Sequence, residues 1–222
     1  EKDLVFLPEP LTYADGAQVA CGFGTVYEAL EKIGCSGNDA VLVVGLGPVG
    51  LAALMLAKAM GANLLLGVDV NPERIELAKK LGLVDDAFAP DGALEKVRAC
   101  TGGHGVEKAL DASASEPGRA LAIRATREWG KIAFVGEGGT AKFEPSPDII
   151  HGQKTIYGSW VTSLWRMEDL VERLVRWNIH PDQLITHRFA LEDAGEAYAL
   201  MASGHCGKVA VVFDGTEDKK HV

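Results

Sequence analysis

At 222 residues the chain is longer than an average domain and shorter than two, enough to enclose a hydrophobic core without a disulfide or metal staple. Hydrophobic residues at 47% and charged residues at 24% exclude a chain that stays disordered. A formal net charge of -9, with no basic stripe or tail, excludes nucleic acid and anionic membrane as partners, because both are gripped by clustered lysines and arginines.

In chain order, the first strongly apolar stretch runs from Ala40 to Met60. Gly45, Gly47, Pro48 and Gly50 interrupt it, so it reads as strand (Ala40 to Gly45), turn and helix rather than a membrane span. Runs rich in valine, isoleucine and leucine recur at Leu64 to Asp69, Val106 to Ala112, Lys131 to Gly136 and Thr155 to Trp160, with a weaker one at Asp86 to Ala89. Amphipathic segments lie between them where crossover helices belong, which is the pattern of a parallel sheet. The segment after Asp69 is the best punctuated, with Asn71 as N-cap, Pro72 at the first helical position, Gly82 as terminator and Leu77, Ala78 and Leu81 as its buried face. Beyond Trp160, residues Met167, Leu170, Val171, Leu174 and Val175 form a helical stripe. A short apolar segment (Leu184 to Phe189), a helix (Leu191 to Ser203) and a strand (Lys208 to Phe213) follow, and the polar end from Thr216 to Val222 is expected to be disordered. The expected fold is α/β: a Rossmann-type doubly wound parallel sheet with helices on both faces and a carboxyl-terminal appendage.

Four cysteines, Cys21, Cys35, Cys100 and Cys206, form no CxxC pair, which disfavours both a disulfide framework and a complete cysteine zinc cluster. With no secretory signal, a reducing cytoplasm is the expected location. The six histidines show no HxxxH spacing and read as surface or loop residues.

Gly45, Gly47 and Gly50 spell GxGxxG between a strand and a helix, with Leu46, Pro48 and Val49 as the intervening residues. Such a turn needs Gly45 for its tight bend, Gly47 for close backbone approach to a pyrophosphate, and Gly50 for close packing of helix on strand. The free N–H groups of the following helix then face the phosphates. Asp69, nineteen residues after Gly50, ends the next strand, where a carboxylate accepts hydrogen bonds from the adenosine ribose and repels a 2′-phosphate, so NAD is expected over NADP. Arg74, one helical turn further on, contacts the ribose or pairs with Asp69.

These residues, with CGFGTVYEAL (Cys21 to Leu30), GVDVNPERIELAKKLG (Gly67 to Gly82), FVGEGG (Phe134 to Gly139), YGSW (Tyr157 to Trp160) and GKVAVVF (Gly207 to Phe213), resemble the zinc-type medium-chain dehydrogenases that include alcohol dehydrogenases. The resemblance runs from Leu7 to about Phe213. It implies that Cys21 is a ligand of a catalytic zinc and that Thr25 packs beside the nicotinamide. It further implies that Ser113, Val135 with Gly136, and Ser159 with Trp160 line the nicotinamide end, and that Lys208 reaches the pyrophosphate. Read from residue type alone, Cys21 is a small buried apolar side chain and Lys208 a surface residue.

The resemblance implies an NAD-dependent oxidoreductase in which zinc polarises an alcohol oxygen while hydride passes to the nicotinamide. A catalytic zinc needs three protein ligands, and this sequence offers one candidate. The expectation is therefore a remnant of the catalytic domain at residues 1–24, an NAD-binding domain at 25–160, and helices and a strand at 161–222 that complete that domain and rejoin the catalytic one. The rest of the catalytic domain, about 100 to 150 residues, would be the missing partner, zinc would belong to the intact enzyme, and the chain alone would turn over negligibly. A small alcohol is the expected substrate, with polyol or threonine dehydrogenase as alternatives within the family. An NAD-sensing module without catalysis is the alternative from another class, and a zinc-independent quinone reductase is disfavoured by Asp69. Thr155 to Trp160 would be an open sheet edge able to pair with a second copy of the chain in an oligomer.

Overall fold

The central apolar runs, those beginning at Ala40 and Leu64 above all, become strands because they are buried on both faces, so alternate residues serve two cores. A computed structural model describes residues 4–213, and the polar end from Thr216 to Val222 lies outside them. Its main sheet contains β1 (Ala40–Val44), β2 (Leu64–Val68), β3 (Asp86–Phe88), β4 (Val106–Asp111), β5 (Thr126–Phe134) and β6 (Thr155–Gly158). All neighbours are parallel, in the order β3-β2-β1-β4-β5-β6. This is the expected doubly wound Rossmann topology, whose order reverses direction between β1 and β4.

Val41, Val43 and Leu65 face a core shared with α2 (Gly24–Ile33), α3 (Pro48–Ala59), α4 (Pro72–Lys80) and α7 (Leu164–Trp177), while Leu42, Val44 and Leu66 face α5 (Ala93–Cys100) and α6 (Glu116–Ala125). Residues Leu51 to Ala57 of α3 are all buried, as suits a helix wedged between the sheet and α2. Asn71 caps α4 by accepting the Glu73 N–H at 2.8 Å, and Gly82 follows at φ +64° as the expected stop. The buried face of α4 includes Ile75 and Ala78 at its centre, with Leu77 and Leu81 only partly covered.

The tail divides. Leu170 and Leu174 of α7 are fully buried in the main core, whereas β7 (Ile185–Phe189), α8 (Ala194–Ser203) and β8 (Lys208–Val211) form a separate parallel pair with its crossover helix. A short helix, α1 (Tyr13–Gln18), precedes α2 and is fastened to this carboxyl-terminal region. Its buried Asp15 completes a capping box with Thr12, accepts the Asp182 N–H at 2.9 Å and lies 3.1 Å from His180 Nδ1.

Strand boundaries differ from the sequence reading in two ways. β5 begins at Thr126, five residues before Lys131; Val106 pairs with Thr126 but Lys108 with Lys131, so extra residues bulge out, with Trp129 at φ +61°. The strands of the main sheet also stop one or two residues short of Gly45, Asp69, Ala112, Gly136 and Trp160, because the chain leaves the ladder there to build the site.

Candidate cofactor-binding site

Most of the candidate residues gather at the carboxyl ends of the parallel strands of the main sheet. A cavity of about 450 Å³ opens there at the β1/β4 reversal, walled by Gly45 and Gly47 after β1, Asp69 and Val70 after β2, Gly92 to Glu95 at the start of α5, and Ser113, Ser115 and Gly118 after β4. Arg74 also reaches it.

The three glycines of the turn do different work. Gly45 adopts φ +92°, and a Cβ on it would lie 2.7 Å from the Ser113 nitrogen. A Cβ on Gly50 would come within 1.8 Å of the Gly45 carbonyl oxygen, so here glycine lets the first turn of α3 rest on the strand end. Gly47, the N-cap of α3, has ordinary extended backbone, and a Cβ there would meet nothing nearer than the Arg74 guanidinium at 3.7 Å. The space left open at Gly47 is the kind a phosphate ester occupies against free helix N–H groups. Leu46, by contrast, is fully buried, Pro48 starts α3 and Val49 packs against the core, so these residues shape the turn without lining the cavity.

Asp69 is 5% exposed and fixed from two sides: Oδ2 accepts the Leu46 N–H at 2.6 Å and Oδ1 the Asn71 N–H at 2.7 Å. Each oxygen keeps a second lone pair for an incoming hydroxyl. The Arg74 Nη1 lies 3.9 Å from Asp69 Oδ2, and Arg74 reaches between Gly47 and Gly204. Cavity size, the opening at Gly47 and a fixed acceptor pair together fit the adenosine and pyrophosphate of a dinucleotide.

At the other end of the edge, Ser113 lines the cavity and donates to Asp111 Oδ1 at 2.6 Å. Val135 and Gly136 leave β5 with both N–H groups donated to the Asp111 carbonyl. Ser159, 6% exposed, donates to the Thr25 carbonyl at 3.4 Å, while Trp160 is 64% exposed and turns outward. Thr25, at the start of α2, donates to the Cys21 carbonyl, and Cys21 Sγ lies 3.7 Å from the Thr25 hydroxyl. Cys21 is exposed, on a π-helical turn bent at Ala20, and not the buried apolar side chain its residue type suggests. The structure thus joins Cys21, Thr25 and Ser159 through direct contacts at the end of β6. Lys208 is not with them, nor with Gly47: it lines a second cavity of about 770 Å³ with Tyr13, Asp182 and Arg188.

Among the described residues no group of three histidine, cysteine, aspartate or glutamate side chains could hold a metal ion, so Cys21 stands as a single sulfur donor and the described residues do not fit a catalytic zinc. Sequence reasoning missed Asp111 and Arg119, which form a buried ion pair with Nε 3.4 Å from Oδ2. The acid's place at a strand end, like that of Asp69, is the one signal that pointed to it. Among the described residues no helix is long and apolar enough to cross a membrane, and all four cysteines are unpaired.

Comparison with known proteins gives the family and the fold. The chain is 50% identical over 215 residues to the uncharacterized zinc-type alcohol dehydrogenase-like protein YphC of Escherichia coli (strain K12), an alignment that takes in 96% of this chain and 61% of YphC. It is 30% identical over 179 residues to the L-threonine 3-dehydrogenase of Symbiobacterium thermophilum, covering 78% of this chain and 51% of that enzyme. The chain therefore spans between half and two thirds of the length of these curated relatives. Its fold superposes, with a TM-score of 0.84 and 23% identity, on the alcohol dehydrogenase rspB of E. coli CFT073, solved in complex with NADH; 94% of this chain and 62% of that one are covered. The family model for zinc-binding dehydrogenases matches residues 48–177, from the first turn of α3 to the end of α7, and the chain belongs to that family.

Proposed function

We propose that this chain binds NAD(H) and serves an oxidoreductase that moves hydride between an alcohol and the nicotinamide. The observation that carries the reading is the opening at Gly47 beside a buried acceptor pair on Asp69. When bound, the dinucleotide would supply the hydride acceptor. Gly47 and the first N–H groups of α3 would receive its pyrophosphate, and Asp69 its adenosine ribose. The carboxylate, held in a site 5% exposed, would repel a 2′-phosphate and so select NAD over NADP. Arg74, 3.9 Å away, would share the ribose face and hold Asp69 in place. The NADH in the rspB complex supports the same cofactor for this chain.

Thr25, Ser113, Val135, Gly136, Ser159 and Trp160 would then orient the nicotinamide, with Cys21 placed to face the substrate. Because the described residues offer no complete metal site, the chemistry at the alcohol belongs to a whole enzyme with further ligands, and the chain alone is expected to turn over negligibly. On this reading residues 25–160 form the cofactor domain, 161–222 complete it, and 1–24 belong with the catalytic part. The threonine dehydrogenase relative favours a hydroxyl-bearing small molecule as substrate. Free cysteines suit a reducing compartment.

Calorimetric titration of the chain checks the reading: NADH gives saturable heat, NADPH binds roughly tenfold or more weakly, and Asp69→Ala narrows that gap. Absence of heat with NADH on folded protein would overturn it.

A further inference from the structure

We infer that Arg119 is a positioning residue for the nicotinamide end of the cofactor, fastening the loop from Gly136 to Thr140 to the buried carboxylate of Asp111. This rests on the proposal that the cavity takes NAD(H), and adds a residue that does not touch the cavity.

Asp111 is the last residue of β4 and fully buried. One oxygen accepts the Ser113 N–H at 3.1 Å and its hydroxyl at 2.6 Å; the other accepts the Ala114 N–H at 3.3 Å and faces Arg119 Nε at 3.4 Å. The opposite edge of the guanidinium donates to two carbonyls of the next loop, Nη2 to Gly136 at 2.6 Å and Nη1 to Thr140 at 3.0 Å. Its charge lies 5.5 Å from the centre of the Phe134 ring, and the side chain is 9% exposed. One planar fork thus ties the turn carrying Ser113 to the loop carrying Gly136.

The loop needs such a tie. Gly138 and Gly139 both sit at positive φ, a backbone with wide freedom when nothing holds it. It also runs tight against the turn, since a Cβ on Gly136 would come within 2.5 Å of the Ala114 nitrogen. Thr140 adds a second tether, donating to Glu116 at 2.8 Å. Charge neutrality alone asks only that Asp111 have a cation beside it. The two carbonyl contacts do something more: they fix the backbone that follows β5.

Strand order says which part of the ligand meets that backbone. A dinucleotide with its ribose at the end of β2 and its pyrophosphate at β1 extends across the reversal toward β4 and β5, so the loop after β5 faces the nicotinamide and not the adenosine. Arg119 acts on the ligand through this loop.

The test compares NADH with ADP-ribose, which lacks the nicotinamide, on the chain and on two variants. Arg119→Lys keeps a positive charge for Asp111 but loses the fork. Arg119→Met combined with Asp111→Asn removes both charges, so no buried ion is left alone, and answers the question if the lysine variant does not fold. If the free loop adopts its competent form about one tenth of the time, NADH binds about tenfold more weakly, ADP-ribose binds unchanged, and the fluorescence change of bound NADH shrinks. Equal weakening of both ligands, or no weakening of either in a folded variant, would overturn the role of Arg119 while leaving the NAD reading intact. Failure of the unsubstituted chain to bind either ligand would overturn both.

Discussion

Gly47 and Gly50 stand three residues apart in one turn, yet substituting each by alanine should cost NADH binding for different reasons, with stability lost at only one of them. At Gly50 the added methyl must displace the Gly45 carbonyl, so Gly50→Ala is expected to cost about 1 to 3 kcal/mol of stability, as overpacking does, and to abolish NADH binding with it. At Gly47 the methyl enters open space on a permitted backbone. Gly47→Ala should therefore leave urea unfolding within about 1 kcal/mol of the parent while weakening NADH at least tenfold, because the methyl occupies the ground a phosphate needs. Paired unfolding and titration curves check both; equal loss of stability in the two variants would show that Gly47 is structural. A smaller effect belongs to Ala114, a non-glycine residue at φ +58°, where Ala114→Gly relieves about 1 kcal/mol of strain, partly offset by chain entropy, so its melting temperature should not fall. At this scale the sequence was most readable where chemistry is local. Gly45, Gly47, Gly50 and Asp69 lie within one strand-turn-helix-strand unit, so spacing alone exposed them. Arg119 was unreadable because its meaning comes from carbonyls 17 and 21 residues away, and nothing about an arginine near the start of a helix announces which backbone it will meet.

The helix that carries Thr25, α2, is joined to α7 through one buried side chain. Tyr27, fully buried on α2, donates its hydroxyl to Asp169 on α7, which Arg173 also holds at 3.3 Å. Burial works to raise the Asp169 carboxyl, but the Tyr27 and Arg173 contacts outweigh it and hold it below the usual aspartate range. Burial, seconded by Asp169, pushes the Tyr27 hydroxyl up. A lowered acid contributes stability above its ordinary value and loses it as pH falls, and a raised tyrosine contributes below its ordinary value and loses it as pH climbs, so the joint is strongest between about pH 4 and pH 10. Tyr27→Phe should cost about 1 to 2 kcal/mol at neutral pH, and less at an acid pH low enough for the lowered Asp169 carboxyl to take up its proton. Denaturant curves at the two pH values decide it; an unchanged gap would contradict the assignment. Elements from the first strand onward were legible by periodicity, down to the cap and stop of α4; α1 and α2, which precede that strand, were not read as helices. The early start of β5 was not, since Trp129 and Gly130 break the alternation and the strand is recovered only by pairing of Thr126 with Val106. Nor did the stripe on α7 say which partner it would meet.

Among the described residues, β6 ends the main sheet with no further strand beside it, as expected of the open edge read from Thr155 to Trp160. We expect that edge to meet its own copy, because a short open edge beside exposed Trp160 and Trp165 is a surface that water covers poorly. Sedimentation velocity from micromolar to millimolar concentration should show a dimer or larger species, and a monomer throughout would refute the pairing. Topology as a whole was legible because alternating strands and crossovers admit few arrangements. The company kept by Lys208 was not, since a one-dimensional motif does not say which cavity a strand borders.

The buried carboxylate of Asp15 waits for groups that lie 165 and 167 positions further along. During synthesis α1 leaves the ribosome well before Asp182, so until that segment follows the Asp15 carboxylate holds only its own cap at Thr12. Closure of so long a loop is slow, so α1 is expected to be among the last of the described elements to gain protection from solvent exchange on refolding. A ring that shuts last also opens first, and α1 with the turn around His180 should exchange its amides together, ahead of the central strands.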